Sequence, residues 1–363
     1  MKRVLVTGAG GYIGTTLVPM LLDAGYRVRA VDRFFFGEER LRPHPALEVV
    51  QEDVRRIAPA RLEDVDAVID LAALSNDASG ELVPEWTWQI NHRARVRLAG
   101  MAKAAGVSRY ILPSSCSIYG FQDPAILVDE ESPTNPLTTY AQANEQAEHG
   151  VLPLASDGFC VTVIRQATVY GYSARMRFDL AINGMTYGAW KTGVLPLMRD
   201  GSQWRPMVHV SDTARAMCFL LDAPPSRVNG EVFNVGSDEN NYQLGDLAER
   251  VARAVPRDVA IEWYGDPDHR SYRVSFAKIE SLGYRAERVA EDGVTEICAA
   301  LEAGTLDRTT DTITIDWYKQ LLDWQERIRR IEMYGGILDI GAVTDDEPAP
   351  AAVPAPSGPT ATR

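Results

Sequence analysis

A short apolar strand that runs directly into closely spaced glycines constrains this chain more than any other feature. Arg3-Val4-Leu5-Val6 leads into Thr7-Gly8-Ala9-Gly10-Gly11-Tyr12-Ile13-Gly14, and an amphipathic stretch over Ile13–Ala24 follows. Gly8 permits a tight turn, Gly11 lets a pyrophosphate approach the backbone, and Gly14 lets helix and strand pack closely. Phosphates then lie on the helix N-terminus, where free N–H groups and the dipole favour anions. Asp32 ends the next apolar run and is placed to accept from the ribose hydroxyls of an adenosine. A carboxylate there repels a 2′-phosphate, so NAD is expected over NADP; the neighbouring Arg33 pulls the other way. A flavin or another nucleotide is the alternative occupant of such a turn.

The pattern beyond the turn sets the fold class. Arg3–Val6, Arg27–Val31, Leu47–Val50, Ala67–Leu71, Tyr110–Pro113 and Val161–Ile164 read as buried strands, with amphipathic stretches such as Arg93–Ala105 between them. That alternation predicts an α/β fold, a Rossmann-type doubly wound parallel sheet with right-handed crossovers. Val232–Val235 reads as one more core strand, and a helix over Gln243–Val255 with a strand over Val259–Trp263 suggests a smaller C-terminal α/β unit. The expected division is a dinucleotide-binding domain over 1–168, with 208–238 returning to it, and a substrate domain over 169–207 and 239–342. Residues 343–363, Pro/Ala-rich after an acidic start, are expected to be a disordered tail.

Composition narrows the partners. Apolar residues make up 45% of the 363, enough for a sizeable core. A net charge of −13 gives no overall attraction to nucleic acid or to an anionic membrane. An anionic ligand must therefore be held by local arginines and backbone N–H groups. Cys116, Cys160, Cys218 and Cys298 have no short paired spacing, so neither a disulfide framework nor a metal site is expected, and a cytoplasmic setting fits. The apolar run after Met1-Lys2-Arg3 stops at Thr7-Gly8, too early for a signal sequence or a membrane span.

The glycine spacing Thr7-Gly8-x-x-Gly11-x-x-Gly14 resembles the extended short-chain dehydrogenase/reductase family, among its NAD-dependent nucleotide-sugar epimerases and dehydratases. Further segments resemble it over roughly residues 1 to 330. Asp53-Val54 is similar to an adenine-contacting pair. Leu71-Ala72-Ala73 is similar to the segment lining the cofactor after the fourth strand, with Asp70 where a histidine is common. Asn91 matches a helix asparagine, Ser114-Ser115-Cys116-Ser117-Ile118-Tyr119-Gly120 the active-site strand, and Tyr140 the start of the catalytic helix. The resemblance thus implies a cofactor site of Gly8, Gly11, Tyr12, Ile13, Gly14, Asp32, Asp53, Val54, Leu71, Ala72, Ala73, Asn91, Ser114, Tyr140, Asn144 and Ala167.

For the reaction, the resemblance implies that Tyr140 takes or gives the proton of a sugar hydroxyl while Ser115 hydrogen-bonds the same oxygen. Removing hydride from a carbinol needs a base on its oxygen. A phenol titrates near 10 and needs nearby positive charge to ionise at neutral pH. The family supplies a lysine one helical turn after the tyrosine; here Asn144 stands there. At ~6 Å and an effective dielectric of ~20 a charge is worth roughly 2–3 kcal/mol, or about two pKa units. Three readings follow: a tyrosine of higher pKa, a different base, or a protein that binds without turnover. Cys116 is either an acid/base thiol or a small buried spacer. The family's 4,6-dehydratases carry Asp-Glu where this chain has Cys116-Ser117, which disfavours that elimination.

On the substrate side, Arg165 reads as a buried, paired arginine, and Thr168 stands where many 4-epimerases have asparagine. Asn183 resembles a residue contacting the sugar or diphosphate. Arg205 and Arg273 resemble phosphate-binding arginines, and forked guanidiniums suit a diphosphate; Arg177 is a third candidate, balanced against a salt bridge. His209 and Asp212 read as fixing a strand–helix junction. The leading expectation is an NAD-dependent epimerase of a nucleotide-diphosphate sugar, acting through a transient keto-sugar with hydride return, at C4. The rivals are a keto-sugar reductase or other sugar-nucleotide oxidoreductase, and a weakly catalytic binding homologue. By analogy with the family, a homodimer through helices near Trp86–Ala105 and Tyr140–Leu154 is expected.

Overall fold

Seven apolar runs pair into one sheet: β1 (Arg3–Thr7), β2 (Arg27–Asp32), β3 (Leu47–Gln51), β4 (Ala67–Asp70), β5 (Arg109–Ser115), β6 (Cys160–Gln166) and β7 (Glu231–Val235). The structure is a computed structural model that describes residues 2–123, 125–198, 201–265 and 271–331. Every pairing in the sheet is parallel, in the order β7-β6-β5-β4-β1-β2-β3. Chain order reverses between β1 and β4, and in doubly wound sheets ligands bind outside the strand ends at that switch.

Alternation along the strands feeds a core on each face. Val4, Val6, Ile69 and Ile111 pack with Leu17 and Leu21 of the helix Gly14–Asp23 and Met217 of the helix Val210–Asp222. Leu5, Val68, Tyr110, Leu112 and Val161 face the other way, onto Leu98 and Ala102 of the helix Arg95–Ala104 and Ala147 and Val151 of the helix Thr139–Val151. Strand positions predicted from apolar runs recur with ends moved by a residue or two. β3 is the exception in character: it lies at the sheet edge, and Glu48 and Val49 are exposed, so it is not a buried strand. The predicted helix Arg93–Ala105 is also two elements, a wide-turned π-helix over Trp88–Ala94 and the α-helix Arg95–Ala104.

A smaller layer stands beside the sheet. Strands Val194–Met198 and Ala260–Tyr264 pair in parallel, and helices Ala181–Thr192, Leu244–Ala254 and Ala290–Glu302 enclose a core of Ile182, Leu195, Leu247, Val251 and Val294. Strand Trp204–His209 runs parallel to Thr168–Tyr170 and antiparallel to Asn241–Gln243, which carries the chain between the layers. Both layers belong to one compact unit that runs to Trp317; a second begins at Tyr318. Among the described residues no helix is long and apolar enough to cross a membrane. The expected tail over 343–363 lies outside the described residues.

Arg165, on β6, is pinned inside. Its Nε and NH2 donate to Glu148, at 2.8 Å for the closer pair, and NH1 donates to the Tyr119 hydroxyl. The Glu148 side chain is 2% exposed. Glu148→Ala therefore strands a buried cation, and urea denaturation should show a loss of about 3–5 kcal/mol. An unchanged midpoint would contradict this placement.

Candidate active site

The turn after β1 is shaped by missing side chains. Gly8 has φ +66°, and a Cβ there would fall 2.8 Å from the Leu71 carbonyl carbon and the Ala72 nitrogen. A Cβ on Gly14 would fall 2.5 Å from the Ala9 oxygen, so the helix seats on the turn only as glycine. A Cβ on Gly11 would meet only Gly8 O within 4 Å, so its outer side lies open. The turn is tied to the end of β4: the Thr7 hydroxyl accepts from Ala72 N at 3.1 Å and donates to Asp70. Tyr110 donates to the other Asp70 oxygen at 2.6 Å. Asn91 clamps the next stretch by accepting from Leu74 N at 2.9 Å and donating to Leu74 O at 3.0 Å. Leu71, Ala72 and Ala73 are thereby held half-buried beside the turn.

Asp32 accepts from Gly10 N at 3.0 Å and Phe34 N at 2.8 Å. Burial pushes its carboxyl above the ordinary range, against the pull of those bonds. Arg33, the group that favoured NADP, donates to Asp53 at 2.9 Å and lies over Phe35. Asp53 also takes Arg55; burial would raise its carboxyl, but the Arg55 and Arg33 bonds hold it well below the usual range. Its carboxylate is thus shared by two arginines, and the neighbouring Val54 is buried. Ile13 packs on the core; the Tyr12 side chain points inward, donating to Gly171 O at 2.5 Å as a strut, so only its backbone remains for a cofactor. Ala167 is buried, its N–H donating to Val235 O. The buried Ser114 hydroxyl has no hydrogen-bond partner among the described residues. The open Gly11 face, the Asp32 acceptor and this hydroxyl fit a dinucleotide at the strand ends.

The catalytic candidates converge at the end of β5. Thr138 caps the helix Thr139–Val151: its hydroxyl accepts from Ala141 N and donates to Asp77 at 2.6 Å. That fixes Tyr140 in the first turn, close enough to Ser115 for the serine hydroxyl to favour the ionised phenol. Gly80 abuts it, since a Cβ there would fall 2.9 Å from the Tyr140 Cβ. Burial pushes the phenol above 10; Arg95 is the largest opposing influence, then Ser115. Asn144 is 1% exposed, donates to Tyr140 O at 2.9 Å and accepts from Arg95 NH1 at 2.7 Å. The sequence reading missed Arg95. Asn91 was legible, and Arg95 lies four residues on, one helical turn along the same face. Cys116 is corrected in role: it is fully buried, its thiol donates to Arg165 O at 3.2 Å, and burial pushes it well up. It is a packing group on the way out of β5.

Across the site, Arg177 is held by Asp179 through two bonds of 3.0 and 2.8 Å and donates to Ser75 at 3.0 Å. Asn183 is fully buried; it accepts from Gly171 N and donates to the Tyr12 hydroxyl and Arg177 O. Its amide is spent on the scaffold, which corrects the expected sugar contact. Thr168 is half-buried on its strand. Arg205 and Arg273 do come together: Arg205 lies over Tyr272, Arg273 lies over Trp204, and Tyr272 N donates to Trp204 O. Tyr272, which sequence reasoning passed over, is buried beside the ring of Tyr119 and so adjoins the β5 turn. His209 caps the helix Val210–Asp222, and Asp212 accepts from the Glu287 and Arg288 amides, as a junction requires.

With this geometry in place, comparison with known proteins is informative. The profile of the NAD dependent epimerase/dehydratase family matches residues 4–236. The chain is 26% identical over 308 residues to UDP-glucuronic acid decarboxylase 1 of Danio rerio, covering 81% of this chain and 71% of that one. It is 23% identical over 334 residues to UDP-glucose 4-epimerase of Corynebacterium glutamicum, covering 85% and 98%. The solved structure of MoeE5 with UDP-glucose and NAD superposes with a TM-score of 0.72 at 28% identity, over 84% of this chain and 100% of that one. UDP-glucuronic acid 4-epimerase from Bacillus cereus shares the fold, with a TM-score of 0.74 at 22% identity over 83% and 99%.

Asp32→Ala should weaken NAD at least tenfold and bring NAD and NADP affinities within a few-fold of each other, read by isothermal titration. Equal binding of the two dinucleotides by the unsubstituted protein would refute the role given to Asp32.

Proposed function

The chain belongs to the NAD dependent epimerase/dehydratase family, and from that premise we propose that it is an NAD-dependent epimerase of a UDP-sugar, inverting C4 through a transient ketone. The observation that carries this reading is the Tyr140 phenol set close to Ser115 at the carboxyl end of β5, beside the glycine turn. When bound, NAD supplies the acceptor and then the donor of a hydride. Ser115 orients the sugar hydroxyl, and Tyr140 takes its proton as the carbon is oxidised. The same phenol returns the proton once the sugar has presented its other face. Arg205 and Arg273 hold the diphosphate, so that the sugar turns while the nucleotide stays anchored. Glycine turn, Asp32 and Ser114 hold the cofactor.

Elimination of the 4,6-dehydratase kind lacks support, because Cys116 is buried and Ser117 offers no carboxylate. Decarboxylation is the second reading, favoured by the likeness to UDP-glucuronic acid decarboxylases. It shares the oxidation at C4 and then loses carbon dioxide from the keto-acid, so products of UDP-glucose and UDP-glucuronic acid separate the two. We also propose a homodimer through the adjacent helices Arg95–Ala104 and Thr139–Val151; a monomer by light scattering at micromolar concentration would refute it.

Tyr140→Phe should cut hydride transfer by about 10²–10⁴-fold while NAD binding stays within a few-fold, because the phenol acts on the substrate. Full activity in that variant would move the proton to another group. The phenol is raised by burial, and only its ionised form takes a proton. Single-turnover oxidation should therefore climb about tenfold per pH unit through neutrality and level off on the alkaline side. A profile flat from pH 6 to 9 would contradict Tyr140 as the base.

A further inference from the structure

We propose that Arg95 supplies Tyr140 with the positive charge that position 144 lacks, and that Asn144 is the side chain that holds it there. The inference rests on the reading of Tyr140 as the base and extends it to a residue outside the usual catalytic helix. Arg95 acts through Tyr140 and is a positioning residue.

The geometry is specific. Tyr140 and Asn144 lie one turn apart, and the Asn144 amide is oriented by its bond to Tyr140 O. Its oxygen is thereby turned to the Arg95 guanidinium, 2.7 Å away. Arg95 is 3% exposed, and its Nε donates to Ala72 O at 3.3 Å, on the segment tied to the glycine turn. A Cβ on Gly150 would fall 2.5 Å from Val96, so the two helices approach at a glycine, which brings Arg95 within reach. Arginine keeps its proton at any pH the protein meets. Among the described residues no carboxylate forms an ion pair with Arg95; its guanidinium donates to two neutral oxygens, the Ala72 carbonyl and the Asn144 amide. A buried cation without a carboxylate partner is rare and costly. Its field is consequently left to act on its surroundings with little screening.

The other charged groups near the phenol do not replace it. Arg177, paired with Asp179, lowers the phenol less than Arg95 does, and Asp77 opposes ionisation. Asp70 accepts from the Tyr110 hydroxyl, whose oxygen also lies 3.2 Å from Arg95 O. Glu81 binds the Thr139 amide and hydroxyl at the start of the helix, and Tyr272 lies beside the ring of Tyr119. Burial raises the phenol, and Arg95 is the largest influence lowering it. Lysine at 144 and arginine at 95 would crowd two cations beside one phenol, so asparagine at 144 is the complement of Arg95.

The test is a pH titration of the full chain labelled with 13Cζ-tyrosine, with Tyr140 assigned by its loss in Tyr140→Phe. Arg95→Met should raise the Tyr140 midpoint by about two units. Arg95→Lys should leave it within about one unit, and Arg95→Met/Asn144→Lys should bring it back. Asn144→Asp, which sets a carboxylate against Arg95, should raise it by at least one unit, and serves if Arg95→Met does not fold. A structural clip would alter melting temperature and NAD retention without moving this midpoint. An unmoved Tyr140 in folded Arg95→Met, or in Asn144→Asp, overturns the proposal. Because the titration needs no sugar, absence of turnover on every UDP-sugar would count against the proposed function and not against this result.

Discussion

There is no room for a side chain where β1 ends. The Gly8 backbone lies against the chain leaving β4, and Gly14 seats the first helix on the same turn. Everything in the site is placed from this contact. Thr7 binds Ala72 and Asp70, Asp70 binds Tyr110, and Asn91 clamps Leu74, so the ends of β1, β4 and β5 form one rigid edge. Ser114 and Ser115 finish β5 beside that edge, and the capped helix brings Tyr140 down onto it. A rigid edge matters because hydride and proton transfer depend on reacting groups held in line, and small displacements are costly in rate.

The site is also cationic inside an acidic protein. With a net charge of −13, long-range attraction of a diphosphate is not available. Binding must come from arginines with fixed orientation, and the fold fixes them in different ways. Arg165 and Arg177 are paired with Glu148 and Asp179. Arg205 and Arg273 lie over Tyr272 and Trp204, which orients each guanidinium. Arg95 is held by neutral oxygens. The group that holds each arginine differs among residues of identical type, and only the fold shows it.

That distinction explains how far the sequence could be read. The strands were legible because both faces of a parallel sheet are buried and their apolar runs are continuous. β3 misled because an edge strand shares that composition while facing solvent. The glycine turn and Asp32 were legible because each position has a steric or electrostatic reason visible in one residue. Asn183 and Tyr12 were not: an amide or phenol bonded to the scaffold looks in sequence like one facing a ligand. Cys116, just past β5, left packing and chemistry open until its thiol was found against Arg165 O. Arg95 escaped because arginines on a helix are usually solvated, and only its spacing from Asn91 pointed inward.

The central claim is that one carbon of a bound sugar is oxidised and reduced again within the same site. UDP-glucose and UDP-glucuronic acid carrying deuterium at C4 test it most directly, with the products analysed by NMR and mass spectrometry. The account predicts a product inverted at C4 that retains its deuterium on that carbon, with no hydrogen taken from solvent. Solvent hydrogen at C4, or deuterium lost to released cofactor with no inverted sugar, would contradict it.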